Sequence, residues 1–306
     1  MRVLVTGAGG LIGGALCQRL RGRSDIELLA LGRSLPTGAD GVVLDLLDAT
    51  ALRRTLADFD PDVVIHAAGR AAGAPGLMLR DNALATVGLA QAMATEAPDA
   101  GLILLGSAAQ YGGSPDRRPW RESDPCQPQH PYGLSKHVGE RCALLHGRGR
   151  ITALRLFNLA LSEPVGAQLF GRFLTQAVEA LAGPGPPRMT VGPLDAVRDF
   201  VTLDDVGKAV EAVVDRGVWG EVINLASGQG RTMRSLIEAA LAEIGGGLSL
   251  EEREAPAGEG GYLSWSVGDP QTCRRLLGFA PSGELAAVVR QAAAWVRAGV
   301  AARRDR

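Results

Sequence analysis

The chain opens on an apolar strand that breaks into glycines and runs straight into a helix: Val3 to Gly14 reads VLVTGAGGLIGG. Gly7, Gly10 and Gly13 recur every third residue. At that spacing Gly7 suits a turn closed to residues with a Cβ, Gly10 admits a pyrophosphate to the backbone, and Gly13 lets helix and strand pack closely. The helix expected over 11–20 would present the first-turn amides of Leu11 and Ile12, and its positive dipole end, to the anion. Context carries as much weight as spacing. A dinucleotide loop needs a strand before it and a helix after it, and both are here.

Downstream, short β-branched runs alternate with helical patterns. Strands are expected at 2–6, 26–31, 42–44, 63–66, 102–106 and 151–156, and helices at 11–20, 49–58, 77–96 and 134–146. Strands buried on both faces and joined by crossover helices imply an α/β fold, a Rossmann-type doubly wound parallel sheet. Ligands on such sheets bind beyond the carboxyl ends of the strands, where Gly7, Asp45, His66, Ser107 and Asn158 would fall. After Asn158 the alternation lapses: a helix at about 167–181 meets the Gly183–Pro187 breaker, and helices near 232–244, 270–277 and 283–298 finish the chain. We read 1–158 with 196–226 as a dinucleotide-binding domain, and 159–195 with 227–306 as a smaller C-terminal substrate-binding lobe.

A second motif supplies chemistry. In Pro131-Tyr-Gly-Leu-Ser-Lys136, Tyr132 and Lys136 stand one helical turn apart on a shared face. A lysine ammonium beside a phenol favours the phenolate, making Tyr132 a candidate acid/base. Ser107 follows the strand expected at 102–106, which brings its hydroxyl to the same sheet edge.

Together the glycine loop, Ser107 and the Tyr132/Lys136 pair resemble the extended short-chain dehydrogenase/reductase superfamily, which includes nucleotide-sugar epimerases, dehydratases and reductases. Further elements keep the family's order. Asp45-Leu-Leu-Asp48 is similar to its adenine-contacting segment, and PDVVIHAAG at 61–69 to the strand and loop under the cofactor ribose. Asn82 matches its helix asparagine, Leu156-Phe-Asn158 its R-x-F-N element, RDFVTLDD at 198–205 its R-D-F signature, and GEVINLASG at 220–228 a late strand. The resemblance implies catalytic roles for Ser107, Tyr132 and Lys136, with Lys136 also fixing the nicotinamide ribose. It implies cofactor contacts from Gly7, Gly10, Leu11, Ile12, Gly13, Asp45, Leu46, Ala67, Ala68, Gly69 and Asn82, and substrate contacts from Ser107, Ala108, Asn158 and Arg198.

Where the second strand ends, family members that hold NAD usually place an acid for the ribose 2′-hydroxyl. This chain has Arg33-Ser34, a planar guanidinium and a hydroxyl suited to a 2′-phosphate. NADP(H) is therefore favoured, with NAD(H) still open. The family's 4,6-dehydratases carry a carboxylate just after the active-site hydroxyl, whereas Ala108 and Ala109 stand here. Segments 191–200 and 223–230 most resemble NADPH-dependent GDP-4-keto-6-deoxy-mannose reductases. The expected activity is reduction of a 4-keto sugar nucleotide or related keto sugar. An epimerase and a non-catalytic NADP-binding protein are the alternatives, the second disfavoured because Ser107, Tyr132 and Lys136 are all retained. Two departures leave the substrate open: Asn158 is followed by Leu159-Ala-Leu-Ser-Glu163-Pro164 instead of a Gly-Pro pair, and no arginine precedes Gly268-Asp269 until Arg253.

A net charge of −1 argues against nucleic acid or an anionic membrane as partner. Cys17, Cys126, Cys142 and Cys273 lack paired spacing and read as reduced thiols. His66 reads as a loop-ordering residue, and His130, His137 and His146 show no metal pattern, so no metal is expected. Glu122 reads as a surface-loop residue in preference to a substrate contact. The chain reads as cytoplasmic, with no leader before the first strand and no membrane-length apolar run. Helices 77–96 and 132–146 resemble those that pair across the family's homodimer.

Overall fold

The computed structural model describes residues 1–304 apart from positions 36, 37, 39, 115, 147–149, 162–168 and 254–262, so Glu163 and Pro164 lie outside the described residues. The first half runs β1 (Arg2–Thr6), α1 (Leu11–Leu20), β2 (Glu27–Gly32), β3 (Gly41–Val43), α2 (Ala49–Phe59) and β4 (Val63–His66). It continues through α3 (Pro75–Met78), a π-helical segment (Leu79–Leu84), α4 (Ala85–Glu96), β5 (Gly101–Ser107), α5 (Pro131–His146) and β6 (Ile151–Leu156). The second half comprises β7 (Asn158–Leu159), α6 (Leu169–Ala182), β8 (Arg188–Val191), β9 (Val197–Arg198), β10 (Phe200–Val201) and α7 (Leu203–Arg216). It ends with β11 (Val222–Leu225), β12 (Arg231–Thr232), α8 (Met233–Ile244), β13 (Ser249–Glu252), β14 (Trp265–Ser266), α9 (Gln271–Leu277) and α10 (Ala286–Arg304).

Seven strands form one parallel sheet in the order β11-β6-β5-β4-β1-β2-β3. The chain winds outward from β1 to β3, then returns to lay β4 on β1's other side. That reversal opens a crevice at the carboxyl ends of β1 and β4, where a doubly wound sheet binds ligands. Successive side chains of each strand enter opposite layers. Val3, Val5, Ile65 and Ile103 pack beneath α1 and α7, while Leu4, Val64, Leu102 and Leu104 pack beneath α2 and α4. Caps end the helices where the sequence supplies them. Asp48 accepts from Ala51 N at 3.0 Å to start α2, and a Thr202/Asp205 capping box starts α7, which stops at left-handed Gly217. A separate apolar cluster joins α6, α8 and α10 around Phe173, Leu174, Ile237 and Val296.

The helix expected over 77–96 is interrupted. Leu79–Leu84 is wound as a π-helix, with Ala85 N donating to Arg80 O five residues back. Such widened turns occur mostly as single insertions at functional positions, and apolar periodicity gives little sign of them. This one carries Arg80, Asp81 and Asn82.

One polar network lies wholly inside the fold. The Arg155 guanidinium of β6 donates to Glu140 of α5 at 2.6 Å (Nη2–Oε1), with side chains only 6% and 2% exposed. Gln110 donates to the second Glu140 oxygen at 2.8 Å, and Arg155 Nη1 to the Tyr111 hydroxyl at 2.8 Å. Tyr111 in turn donates to Asn224 of β11 at 2.7 Å. Glu122 is no free surface-loop residue: its oxygens accept from Asn224 N at 2.8 Å and Thr272 Oγ1 at 3.0 Å, pinning its loop to β11 and α9. Removing one partner of a buried pair strands the other's charge. Glu140→Leu should therefore lower unfolding stability in urea by about 3 kcal/mol or more, and Glu140→Leu/Arg155→Met should recover much of that loss.

Candidate active site

The glycine turn is built for close approach. Gly7 has φ +70, and a Cβ there would lie 2.6 Å from the Ala68 backbone. One at Gly13 would strike the Gly7 carbonyl oxygen, so Gly13 serves the packing beneath the turn and is absent from the linings of the two cavities around it. Gly10 is the N-cap of α1 and brings no side chain to the first-turn amides. The unblocked amide end fits a pyrophosphate.

Around this turn lies a cavity of about 240 Å³ lined by Gly7, Gly10, Arg33, Ser34, Asp45, Leu46, Ala67, Ala68 and Gly69, together with Gly9 and Asp81. Gly9 admits the Ser34 side chain, whose Oγ a Cβ would strike. Asp45 Oδ1 accepts from Leu47 N at 3.1 Å, which shapes the wall opposite. These residues suit the adenosine half of a dinucleotide: apolar walls for a base, with a cation and a hydroxyl at the end of β2.

A second cavity of about 480 Å³ shares Gly10 and Ala67–Gly69 with the first, so the two form one groove. Leu11, Ile12, Ser107, Ala108, Tyr132, Lys136, Asn158 and Arg198 all line it. Phe170, Phe200, Met233 and Leu263 form its apolar side, and sequence alone did not single them out. Ser107 ends β5, and its Oγ accepts from Ala109 N at 3.2 Å, which holds it at the sheet edge. Asn158 donates from Nδ2 to Asp199 O at 3.0 Å.

Electrostatics here depart from the expectation that Lys136 holds the Tyr132 phenol down. Burial against the cavity wall pushes the phenol up, and the Ser107 hydroxyl offsets this only in part. The Lys136 ammonium is itself pushed down to about 8 by burial, with Glu140 one turn along drawing it back up. A Cβ built on Gly69 would lie 3.9 Å from Lys136 Nζ, so the ammonium stands over the loop after β4. Both groups stand half-buried on one cavity wall, and desolvation favours the neutral form of each.

Asn82 lines neither cavity. Its amide clamps the loop after β4, accepting from Arg70 N at 2.6 Å and donating to Arg70 O at 2.9 Å and Ser135 Oγ at 2.8 Å. His66, fully buried, bridges Thr6 Oγ1 at 2.8 Å and Thr86 Oγ1 at 2.9 Å. It thus joins the residue before the glycine turn to α4, in keeping with the ordering role expected of it. Three arginines surround Asp81, a grouping that adjacency in sequence does not disclose: Arg33, Arg70 and Arg80 lie 3.5, 2.7 and 2.7 Å from its oxygens.

Fold and site together define a nicotinamide-dinucleotide enzyme of the doubly wound class. The chain belongs to the NAD dependent epimerase/dehydratase family, whose model matches residues 3–226. It is 34% identical over 303 residues to the dTDP-6-deoxy-L-talose 4-dehydrogenase (NAD(P)(+)) of Kitasatospora kifunensis, spanning 95% of this chain and 94% of that protein. The GDP-6-deoxy-D-mannose reductase of Pseudomonas aeruginosa is 31% identical over 206 residues, 64% of this chain and 67% of the reductase. Among solved structures, MoeE5 in complex with UDP-glucuronic acid and NAD superposes with a TM-score of 0.81 at 26% identity, covering 97% of this chain and 99% of MoeE5. The protein is accordingly an NAD(P)-dependent enzyme of a family whose named relatives modify sugar nucleotides.

His66 gives a pH signature. Desolvation, with the nearby Lys136 charge second, pushes it down to about 3 from its ordinary 6.5. The unfolded chain therefore binds a proton that the folded chain refuses between those values, so the stabilisation is complete above pH 6.5 and is lost as pH falls towards 3. Thermal unfolding should show Tm dropping through this window, and His66→Gln should flatten the part of the slope that His66 contributes.

Proposed function

We propose that this chain is an NADP(H)-dependent reductase of a 4-keto sugar nucleotide, with Tyr132 as its acid. The observation that carries the reading is that Ser107, Tyr132 and Lys136 line one cavity, continuous with the dinucleotide groove and faced by Asn158 and Arg198. When bound, the nicotinamide supplies the hydride. Tyr132, kept protonated by burial, donates its proton to the carbonyl oxygen as charge develops there, and the Ser107 hydroxyl hydrogen-bonds the same oxygen. Lys136, cationic below about pH 8, holds the nicotinamide ribose hydroxyls from its place over Gly69. Arg198 pairs with the substrate diphosphate, and Asn158 orients the sugar. Ala108 and Ala109 offer no carboxylate for dehydration. The name of the talose 4-dehydrogenase relative puts redox chemistry at position 4 of a nucleotide-linked 6-deoxy sugar, the same interconversion run in the other direction. Arg33 and Ser34 favour NADP(H).

The active unit in this reading is a homodimer. Leu84 in the π segment and Leu145 on α5 are 59% and 76% exposed, and Leu79 in the same segment, Leu134 on α5 and Leu77 on α3 are also exposed. Exposed leucines in such number mark an association surface.

With dTDP- and GDP-linked 4-keto-6-deoxy sugars as candidate substrates, NADPH absorbance should fall in step with product. Tyr132→Phe should lower kcat by about a hundredfold or more while NADPH binding persists. Substrate interconversion with no net NADPH consumed would mean an epimerase instead. Sedimentation should give a dimer at micromolar concentration, shifted to monomer by Leu84→Glu/Leu145→Glu; a monomeric wild type would refute the interface.

A further inference from the structure

Arg33 and Asp81 come from opposite banks of the cofactor groove. Arg33 follows β2, Asp81 lies in the π segment after β4, and β1 with its glycine turn runs between those strands. Their contact, Arg33 Nη1 to Asp81 Oδ2 at 3.5 Å, therefore crosses the adenosine cavity that both residues line. Asp81 does not depend on this contact. Arg70 Nε sits 2.7 Å from the same Oδ2, and Arg80 Nε 2.7 Å from Oδ1, so each oxygen already has a closer cation. Arg33 is the third and loosest partner, with 56% of its side chain exposed against 8% for Asp81. A long, exposed ion pair of this kind is weak and easily exchanged.

We propose that Asp81 is a specificity-determining residue that competes with the 2′-phosphate of NADP(H) for the Arg33 guanidinium, and so keeps the site open to NAD(H) as well. This rests on the reading above, in which Arg33 faces the cofactor's 2′ position. With NAD(H), the 2′-hydroxyl leaves Arg33 on Asp81, and the pair spans the groove. With NADP(H), a phosphate carrying nearly two charges and three acceptor oxygens draws Arg33 away. Arg70 and Arg80 stay on Asp81, so no buried carboxylate is stranded by the exchange. Asp81 acts against the phosphate twice, by occupying Arg33 and by like-charge repulsion across the cavity. Both effects have the same sign, which gives the proposal a direction: removing the carboxylate strengthens NADPH binding relative to NADH. An Asp81 that merely props Arg33 in place for the phosphate would give the opposite sign.

The test is fluorescence titration of NADPH and NADH into the full chain. Wild type should bind both. Asp81→Asn, with Asp81→Ser as a second variant, should raise the NADPH-to-NADH affinity ratio roughly fivefold, the scale of one partly exposed ion pair. In an Arg33→Ala background most of that gain should vanish. An unchanged or lowered ratio in the Asp81 variants overturns the proposal, as does a gain that survives intact without Arg33. If Arg33→Ala alone leaves NADPH binding as in wild type, the NADP(H) reading fails first, whatever Asp81 does. Should both Asp81 variants fail to fold, the Arg33 side-chain ¹⁵N resonance of the wild type decides. It should move on adding NADP+ and stay on adding NAD+, and equal movement with both overturns the proposal.

Discussion

The buried Arg155–Glu140 pair is the constraint on which the site geometry depends. Glu140 lies on α5 one turn beyond Lys136 and two beyond Tyr132, and Arg155 is fixed in β6, between β5 and the edge strand β11. Joined at 2.6 Å, they fix the height and rotation of α5 over the sheet edge where Ser107 ends β5. Gly106 belongs to this arrangement: a Cβ there would lie 2.9 Å from Glu140 Oε2, so the carboxylate passes over a residue with no side chain. A buried ion pair adds little net stability over a packed apolar pair, because desolvation offsets most of the attraction. What it supplies here is register. Glu140 and Arg155 each bring several directional hydrogen bonds to partners on different elements, and few placements of α5 satisfy them all.

A second thread of hydrogen bonds ties the cofactor half to the reacting half. From Thr6 it passes through His66 to Thr86, whose hydroxyl donates to Asn82 O at 2.5 Å, and then through the Asn82 amide to Ser135 on the Tyr132 helix. The neutral imidazole can serve hydroxyls on both sides, one nitrogen accepting and the other donating. Burial that disfavours its charged form therefore maintains the link. The glycine turn and α5 are thus positioned by a continuous set of polar contacts, although they lie more than a hundred residues apart in the chain.

Much of the molecule was legible in its residues. Gly7 and Gly13 announce themselves because only glycine tolerates the φ and the close approach they show. The strands Arg2–Thr6, Val63–His66 and Ile151–Leu156 stand where β-branched runs put them, since strands buried on both faces must be apolar throughout. Ser107, Tyr132 and Lys136 were readable as a group and do line one cavity. What escaped depended on contacts distant in sequence. The π turn at Leu79–Leu84 leaves little trace in apolar periodicity, yet it puts Asp81 on the groove and Asn82 on the loop after β4. Glu122 resembled a solvated loop residue until its partners Asn224 and Thr272, from the last third of the chain, came into place.

The sequence by itself determined the class of fold, the place of the dinucleotide turn and the chemical groups available to the reaction. These follow from local physics: the periodicity of apolar residues, the conformational freedom of glycine, and helical spacing within six residues. Tertiary structure alone decided the electrostatic state of those groups and the company they keep. Tyr132 one helical turn before Lys136 suggests a lowered phenol pKa, but partial burial on the wall they share desolvates both and reverses that direction. Arg33 reads as a lone cation after β2, and only the crossing of β1 brings it to Asp81. Desolvation and charge pairing depend on what surrounds a group in space, and for these residues the surroundings are assembled from segments far apart along the chain.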